Sequence, residues 1–358
     1  MQNDITQTTQ TDMTSVVTDY SVDTAITDGA GEQKETEFSY PDYSKWLGYY
    51  KKEMIKKPID NFATWVLGLG YTCELSRDQV ILDNITGWGE DGFLDVLWNL
   101  LVIKKVNGDS FAHIIRNKEI GTLINLKPLP IEAMKTIVGA DGIIIRYEQM
   151  SKVKGKTPRK YEPNEILHLV NDRIADECRG VSVIEVCEWA ILAMKETLTD
   201  WKRISHRTTI RVLYVDINDK TRLANLKSDY AEAMKTGELL ILPVDRKDAS
   251  FEDLTLPPVE AFFTAIRYYE SLIYKAVGFP KSLTGDAEGI PESGGKMAYQ
   301  NHMPIYNREV TTLEADFWNQ VGIKINFNRQ ESLTDSLQNQ ESKNNAQTGF
   351  QPSDTQIK

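Results

Sequence analysis

Residues 257–321 read PPVEAFFTAIRYYESLIYKAVGFPKSLTGDAEGIPESGGKMAYQNHMPIYNREVTTLEADFWNQV. Val259, Phe262, Phe263, Ile266, Tyr269, Ile273, Ala276 and Val277 recur mostly three and four residues apart, which lays one apolar stripe along a helix. Pro257 and Pro258 suit its first turn, where a fixed φ fits and the missing N–H is not needed. Gly278-Phe279-Pro280 ends it, because glycine favours the left-handed cap and proline cannot continue the ladder. A glycine-rich loop over 285–296 follows, and then Met303, Tyr306, Val310, Leu313, Phe317 and Val321 mark a second helix over 297–321. Pro304 removes a backbone hydrogen bond from its first half and is expected to kink it. No nucleophile or metal-ligand spacing occurs in this stretch, so two long helices joined by a flexible loop point to assembly rather than catalysis.

The chain has 358 residues, 41% hydrophobic and 26% charged, an ordinary globular composition able to bury one or two cores. Its start, Met1-Gln2-Asn3-Asp4-Ile5-Thr6, has neither a basic region nor an apolar run, so no signal peptide is expected. The longest apolar segment, residues 93–103, is interrupted by Asp95 and Asn99. It is far short of the ~20 residues that span a bilayer, which predicts a soluble protein with no membrane partner. Cys73, Cys178 and Cys187 form no CxxC pair and read as reduced, partly buried thiols, with no metal site.

The net charge of −11 is unevenly spread: residues 1–40 hold eight acids against Lys34 alone, and residues 329–358 hold four acids against three bases. The core between them carries only −3. That balance argues against tight DNA binding, which needs clustered Lys and Arg, while leaving loose passage of DNA open. Both termini, rich in Thr, Asp and Gln or in Gln, Asn and Ser, read as disordered tails.

Working outward from the two helices, residues 59–71 carry a helix or strand, and 91–105 a helix with Phe93, Val96, Leu97, Leu100 and Leu101 on one face. Its basic end, Lys104-Lys105, complements the C-terminal dipole. Strand periodicity takes over at 111–115, 122–126, 142–147 and 160–170, the last around a lysine-rich turn at 152–158. Ser182 and Glu185 then form a capping box. Ile184, Cys187, Ile191, Met194, Leu198 and Trp201 step alternately by three and four, a narrow seam suited to packing on other helices. Strands over 209–215 and 238–242 with a helix over 220–234 fill the interval before Pro257, so two long helices bracket a small α/β module.

Several short segments occur in a telling order. They are Asn107-Gly108-Asp109-Ser110-Phe111-Ala112 with Arg116, Gly121 and Leu126-Lys127-Pro128-Leu129-Pro130, then Glu165-Ile166-Leu167-His168-Leu169, Arg179-Gly180-Val181-Ser182, Gly278-Phe279-Pro280 and His302-Met303-Pro304-Ile305. In that order, over roughly residues 40–326, the sequence resembles the portal proteins of tailed viruses, which form the ring at the capsid vertex through which DNA is packaged and ejected. The resemblance implies an α+β portal-like fold, with an α/β wing region over 40–180 and stem helices over 181–206 and 258–278. A clip-like α/β module would occupy 207–257, and a tunnel loop with a kinked wing helix 279–328, between tails at 1–39 and 329–358. Arg179 stands where the family pattern has an aromatic, and little chain follows residue 321 to build a helical crown.

The resemblance further implies a non-enzymatic, homododecameric virion component assembled in the host cytoplasm. Its partners would be the terminase large subunit, capsid protein, head-tail adaptors and double-stranded DNA passed without sequence specificity. Gly285, Gly289, Ser293, Gly294, Gly295 and Lys296 would form the tunnel loop. The stem interface would use Ile184, Cys187, Ile191, Met194, Leu198, Trp201, Phe262, Phe263, Ile266 and Ile273. Lys202, Arg203, Arg207 and Arg211, with His206, form a basic cluster suited either to DNA and partners or to a helix C-terminus. No catalytic residue, cofactor or metal is expected.

Two enzymatic readings are weaker. The stretch 289–297 approaches a P-loop but has the wrong glycine-to-lysine spacing, puts Met297 where a hydroxyl should hold Mg²⁺, and follows no strand. A nucleotide-dependent DNA-processing enzyme on this loop, or a monomeric virion scaffold, are the alternatives. His168, Asp172, Cys178 and Ser182 lie close in sequence, yet no base or oxyanion partner accompanies them.

Overall fold

The computed structural model describes residues 25–27, 33–40, 43–52, 54–139, 141–151, 156–175, 177–205, 210–215, 220–229, 231, 239–243, 250–254, 259–284 and 292–330. The chain divides into two compact units, residues 1–185 with 277–358 and residues 186–276.

The first unit opens with β1 (Ala25–Thr27) and β2 (Gln33–Ser39), then α1 (Tyr43–Lys52), α2 (Lys56–Leu67), β3 (Tyr71–Cys73), α3 (Ser76–Asp83) and α4 (Phe93–Asn107). β4 (Asp109–Arg116), β5 (Leu123–Leu129), β6 (Met134–Gly139), β7 (Ile144–Gln149), β8 (Arg159–Tyr161) and β9 (Ile166–Val170) follow. They form a five-stranded sheet in the order β1-β2-β6-β7-β8 and a three-stranded sheet in the order β5-β4-β9. The stretch 160–170 is therefore not one strand: a 3-10 turn at Pro163–Glu165 sends β8 and β9 to different sheets.

The tail expected over residues 1–39 is shorter than its composition suggests. β2 pairs antiparallel with β6 from Glu35↔Gly139 to Ser39↔Lys135. Its charges are met by distant partners: Arg146 on β7 donates to both Glu35 oxygens at 2.8 Å, and Lys135 pairs with Glu37. β6 is absent from the strands read above because, as the central strand, it buries Met134, Thr136, Ile137 and Val138 together and so lacks alternation.

Gly108 and Gly180 occupy positions that no side chain fits. Gly108 has φ +87°, and a Cβ there would lie 2.4 Å from the Gly180 carbonyl oxygen, while one on Gly180 would lie 2.1 Å from the Gly108 oxygen. The close approach lets the Asn171 N–H reach the Gly108 carbonyl at 2.7 Å and the Val181 N–H reach the Asn171 carbonyl at 2.9 Å. Gly180→Ala is expected to cost about 3 kcal/mol, the upper range for forcing extra volume into a packed site. Urea denaturation checks this, and an unchanged midpoint would contradict the tight approach.

α5 (Val183–Ser205) carries the chain into the second unit, which contains β10 (Ile210–Val215), α6 (Lys220–Asp229), β11 (Leu239–Pro243), β12 (Ser250–Leu254) and α7 (Val259–Val277). β10 is central, parallel to β11 and antiparallel to β12. A parallel pair needs a crossover, and α6 lies in that connection. β12 adds a third strand to the two read from the sequence.

The chain returns to the first unit with α8 (Glu292–Val321) and β13 (Ile325–Phe327), the latter pairing antiparallel with β3. Phe62, Leu97, Leu101, Tyr306, Leu313 and Phe317 of α2, α4 and α8 are fully buried. Phe93 stacks edge-on to Phe317 at 5.5 Å.

Candidate functional site

α8 is fastened to α4 and to the β5-β4-β9 sheet by polar groups. Its Glu309, only 9% exposed, accepts hydrogen bonds from Lys104 Nζ at 2.6 Å and Lys105 Nζ at 3.0 Å, and Lys105 also donates to Asn171 Oδ1 at 2.9 Å. Burial pushes the Glu309 carboxyl up, but the two ammonium groups outweigh it and hold it at about 2. The two lysines lie in the last turn of α4, where they suit its dipole, and are also the countercharge for one buried carboxylate. Asp316, one heptad along α8, is raised by burial and by Glu309, with Lys104 opposing.

At the other end of α8, the Gln320 side-chain amide accepts from His168 N at 2.7 Å and donates to His168 O at 3.0 Å, closing the free edge of β9. Arg116 donates to the Gln320 and Val321 carbonyls at 3.2 and 3.1 Å, capping the last turn of α8.

His168 belongs to a closed network. Its Nε2–H donates to Asp109 Oδ1 at 2.8 Å, and its Nδ1 accepts the Tyr147 hydroxyl at 3.0 Å. Asp109, fully buried, also accepts from Tyr43 at 2.7 Å and from the Gly180 N–H. Ser182 Oγ donates to the Val106 carbonyl and accepts from the Ile184 and Glu185 N–H groups, the expected helix cap. Burial pushes the Cys178 thiol up to about 11, and Asp172 is exposed. These residues therefore hold β4, β7 and β9 together and offer no poised nucleophile. Arg179, at the position where an aromatic was expected, lies over the rings of Phe38 and Tyr40 at 5.2 and 5.3 Å and so pins the strand that the composition concealed.

In the second unit, the seam expected to face another subunit is only partly available. Cys187, Ile191, Met194 and Ile273 are buried, as is Ile184 at the start of α5. Leu198, Trp201, Phe262 and Ile266 are half-buried, and only Phe263 of that set is exposed, at 41%. The uncovered apolar side of α5 is instead Val186, Trp189 and Leu192, with Tyr268 added from α7. Trp189 meets Tyr269 edge-on at 6.3 Å, and Trp201 meets Phe263 at 5.5 Å, so the two helices share aromatic contacts at both heights. The burial of one side of α5 was legible from periodicity, but Trp189 was not, because it falls between the seam positions. Lys202 is exposed on the last turns of α5; Arg203 and Arg211 fall on α5 and β10, and Arg207 lies outside the described residues.

No known family profile and no curated protein matches this sequence. Solved structures do. A chain in the neck of a native gene transfer agent particle computed with C12 symmetry superposes with a TM-score of 0.59 at 15% identity, over 88% of this chain and 92% of its own. A chain of the native gene transfer agent virion gives 0.59 at 15% identity over 87% and 91%. An HK97-family phage portal protein from Corynebacterium diphtheriae gives 0.51 at 10% identity, over 81% of this chain and 96% of its own. The fold is that of a phage portal protein.

Within the portal fold, the loop after the second long helix is shorter than expected. α8 starts at Glu292, so Ser293, Gly294, Gly295 and Lys296 lie in its first turns, while Gly285 and Gly289 fall outside the described residues. The last described element before them is a 3-10 turn, Lys281–Thr284. Pro304 is exposed inside α8 and does not interrupt it. Two residues upstream, His302 Nδ1 donates to the Gly278 carbonyl at 2.9 Å, with the rings of Trp65 and Phe279 at 5.5 and 5.0 Å. That contact ties α8 to the turn that ends α7. Among the described residues no group of three metal-ligating side chains occurs, and no helix is long and apolar enough to cross a membrane.

Proposed function

We propose that this chain is the subunit of a ring-shaped portal, a non-enzymatic channel in a virion. The observation that carries this reading is a portal fold extending over nearly the whole chain, shared with a neck component whose particle was computed with C12 symmetry. Twelve copies would form the ring. The helices α5 and α7 would line its stem, the β10–β12 module would meet the terminase large subunit and later the head-tail adaptors, and the wing would meet capsid protein. Double-stranded DNA would pass through without sequence specificity, in keeping with a chain that carries −11 overall. Assembly would take place in the host cytoplasm. Mass photometry and negative-stain imaging of purified protein test the reading, and a monomer at micromolar concentration would overturn it.

Residues 285–296 serve in this reading as the part that moves against DNA. A Cβ on Gly295 meets nothing within 4 Å, so Gly295→Ala adds helix propensity without a clash. The substitution is expected to stabilise the start of α8 by up to about 1 kcal/mol. Rings should form normally while packaged genome length falls. Full-length genomes in Gly295→Ala particles would exclude a need for this segment to rearrange.

A further inference from the structure

One sheet of the wing has oppositely charged ends. At its β8 edge, Arg159, Lys160 and the preceding Lys156 are exposed, and Lys160 reaches Glu148 only at 3.7 Å. Lys127 of β5 belongs to the other sheet, yet it lies near Arg159: it is the cross-strand partner of His113 on β4, whose ring adjoins the Tyr161 ring that Arg159 covers. Burial lowers the His113 imidazole, Arg159 and Lys127 lower it further, and Glu165 alone raises it, as expected where cations dominate the local field. Arg159 is held in place over the buried Tyr161 ring at 4.7 Å, with His113 at 5.0 Å from the same ring. Among the described residues no carboxylate pairs with Lys127, Lys156 or Arg159. Glu165, the acid that acts on His113, accepts from the Glu162 N–H and is committed to its turn.

The opposite edge is β1, which residues 1–24 precede in the chain. That segment holds Asp4, Asp12, Asp19 and Asp23 and no lysine or arginine, and Asp28 and Glu32 follow between β1 and β2. Five strands separate the two edges by roughly 19 Å, at about 4.8 Å per strand spacing. A subunit whose chain enters one sheet edge from an acidic segment and whose other edge is cationic is polar in the sense that head-to-tail contacts require, and such contacts give rings where the rotation closes.

We propose that the acidic N-terminal segment of one copy docks on the Lys127, Lys156, Arg159 and Lys160 surface of the adjacent copy, as an electrostatic clasp between neighbouring wings. The proposal rests on the ring reading above but uses a surface separate from the α5 and α7 helices. Each charge pair is exposed and weak by itself, so the clasp should be strongly salt-dependent.

The test uses the full chain, with isotopically heavy and light copies mixed before assembly and treated with a zero-length carbodiimide cross-linker. Heavy-to-light cross-links from Asp4, Asp12, Asp19 or Asp23 to Lys127, Lys156 or Lys160 are expected. Their yield should fall several-fold as salt rises from about 0.1 M to 1 M and the Debye length shrinks from about 10 Å to about 3 Å. Lys156→Glu with Lys160→Glu should abolish them. As a second variant, neutralising the four N-terminal aspartates to asparagine should raise the salt needed to elute the chain from heparin, because the cationic edge is uncovered. Rings without these cross-links, cross-links confined to single chains, or heparin elution and duplex DNA binding unchanged by neutralisation would each overturn the clasp and leave the ring reading standing. If mass photometry of the same sample shows only monomers, both fall.

Discussion

Glu309→Leu is expected to destabilise the folded chain by about 3 to 5 kcal/mol, the cost of removing one partner from a buried ion pair. The substitution strands Lys104 and Lys105, which are 2% and 7% exposed and share no other carboxylate contact among the described residues. Adding Lys104→Met and Lys105→Met to Glu309→Leu should recover most of the loss, because an apolar replacement of the whole cluster removes the stranded charge. Chemical denaturation of the single and triple variants decides the matter. A single variant within about 0.5 kcal/mol of the parent, the range of ordinary surface substitutions, would contradict the pairing.

The same carboxylate sets an acid limit. Its pKa falls from 4.5 in the ordinary state to about 2 in the folded chain, so its contribution is present above pH 4.5 and is lost as pH falls toward 2. A shift of that size corresponds to about 3 kcal/mol at neutral pH. Parent protein should therefore lose stability between pH 4.5 and 2, and the triple variant should lose less over the same interval.

The second large effect concerns assembly. Trp189→Asp, and Val186→Asp beside it, should convert the proposed rings to smaller species while leaving the circular dichroism spectrum and unfolding midpoint nearly unchanged, because both side chains are exposed in the single chain, at 59% and 58%. In the proposed ring, loss of an aromatic contact at the interface would weaken each junction by about 2 kcal/mol or more, roughly 30-fold, and every junction would carry the same change. Ile191→Asp should behave differently: Ile191 is fully buried, so it is expected to unfold the region instead of dissociating it. Unchanged sedimentation of both Trp189→Asp and Val186→Asp would remove this side of α5 from the interface.

Much of the scaffold was legible. The two long helices emerged within a few residues of their ends because an amphipathic helix writes its period into neighbouring residues, and because Ser182 and Gly278 mark a start and a stop. The ordered motifs were legible too, and the contact between Gly108 and Gly180 supplies a physical reason for two of them. The loop before α8 was overextended because glycines were read as loop formers, whereas Gly294 and Gly295 fall inside the first turns of a helix. On the candidate interface, periodicity located an apolar stripe on α5 correctly but could not say whether the chain itself or another copy covers it.

The sequence by itself determined the long helices, several of the strands between them and the α/β module bracketed by two helices, since these follow from local propensity, capping and patterns a few residues long. The tertiary structure alone decided that β2 joins the five-stranded sheet, that β8 and β9 part company, that Val186 and Trp189 are the uncovered apolar side of α5, and that Lys104 and Lys105 answer Glu309, more than 200 residues away. The physical reason is the same in each case. A side chain's charge or apolarity is local, but what satisfies it is set by which distant group the fold brings within about 3 Å, and no period in the chain encodes that distance.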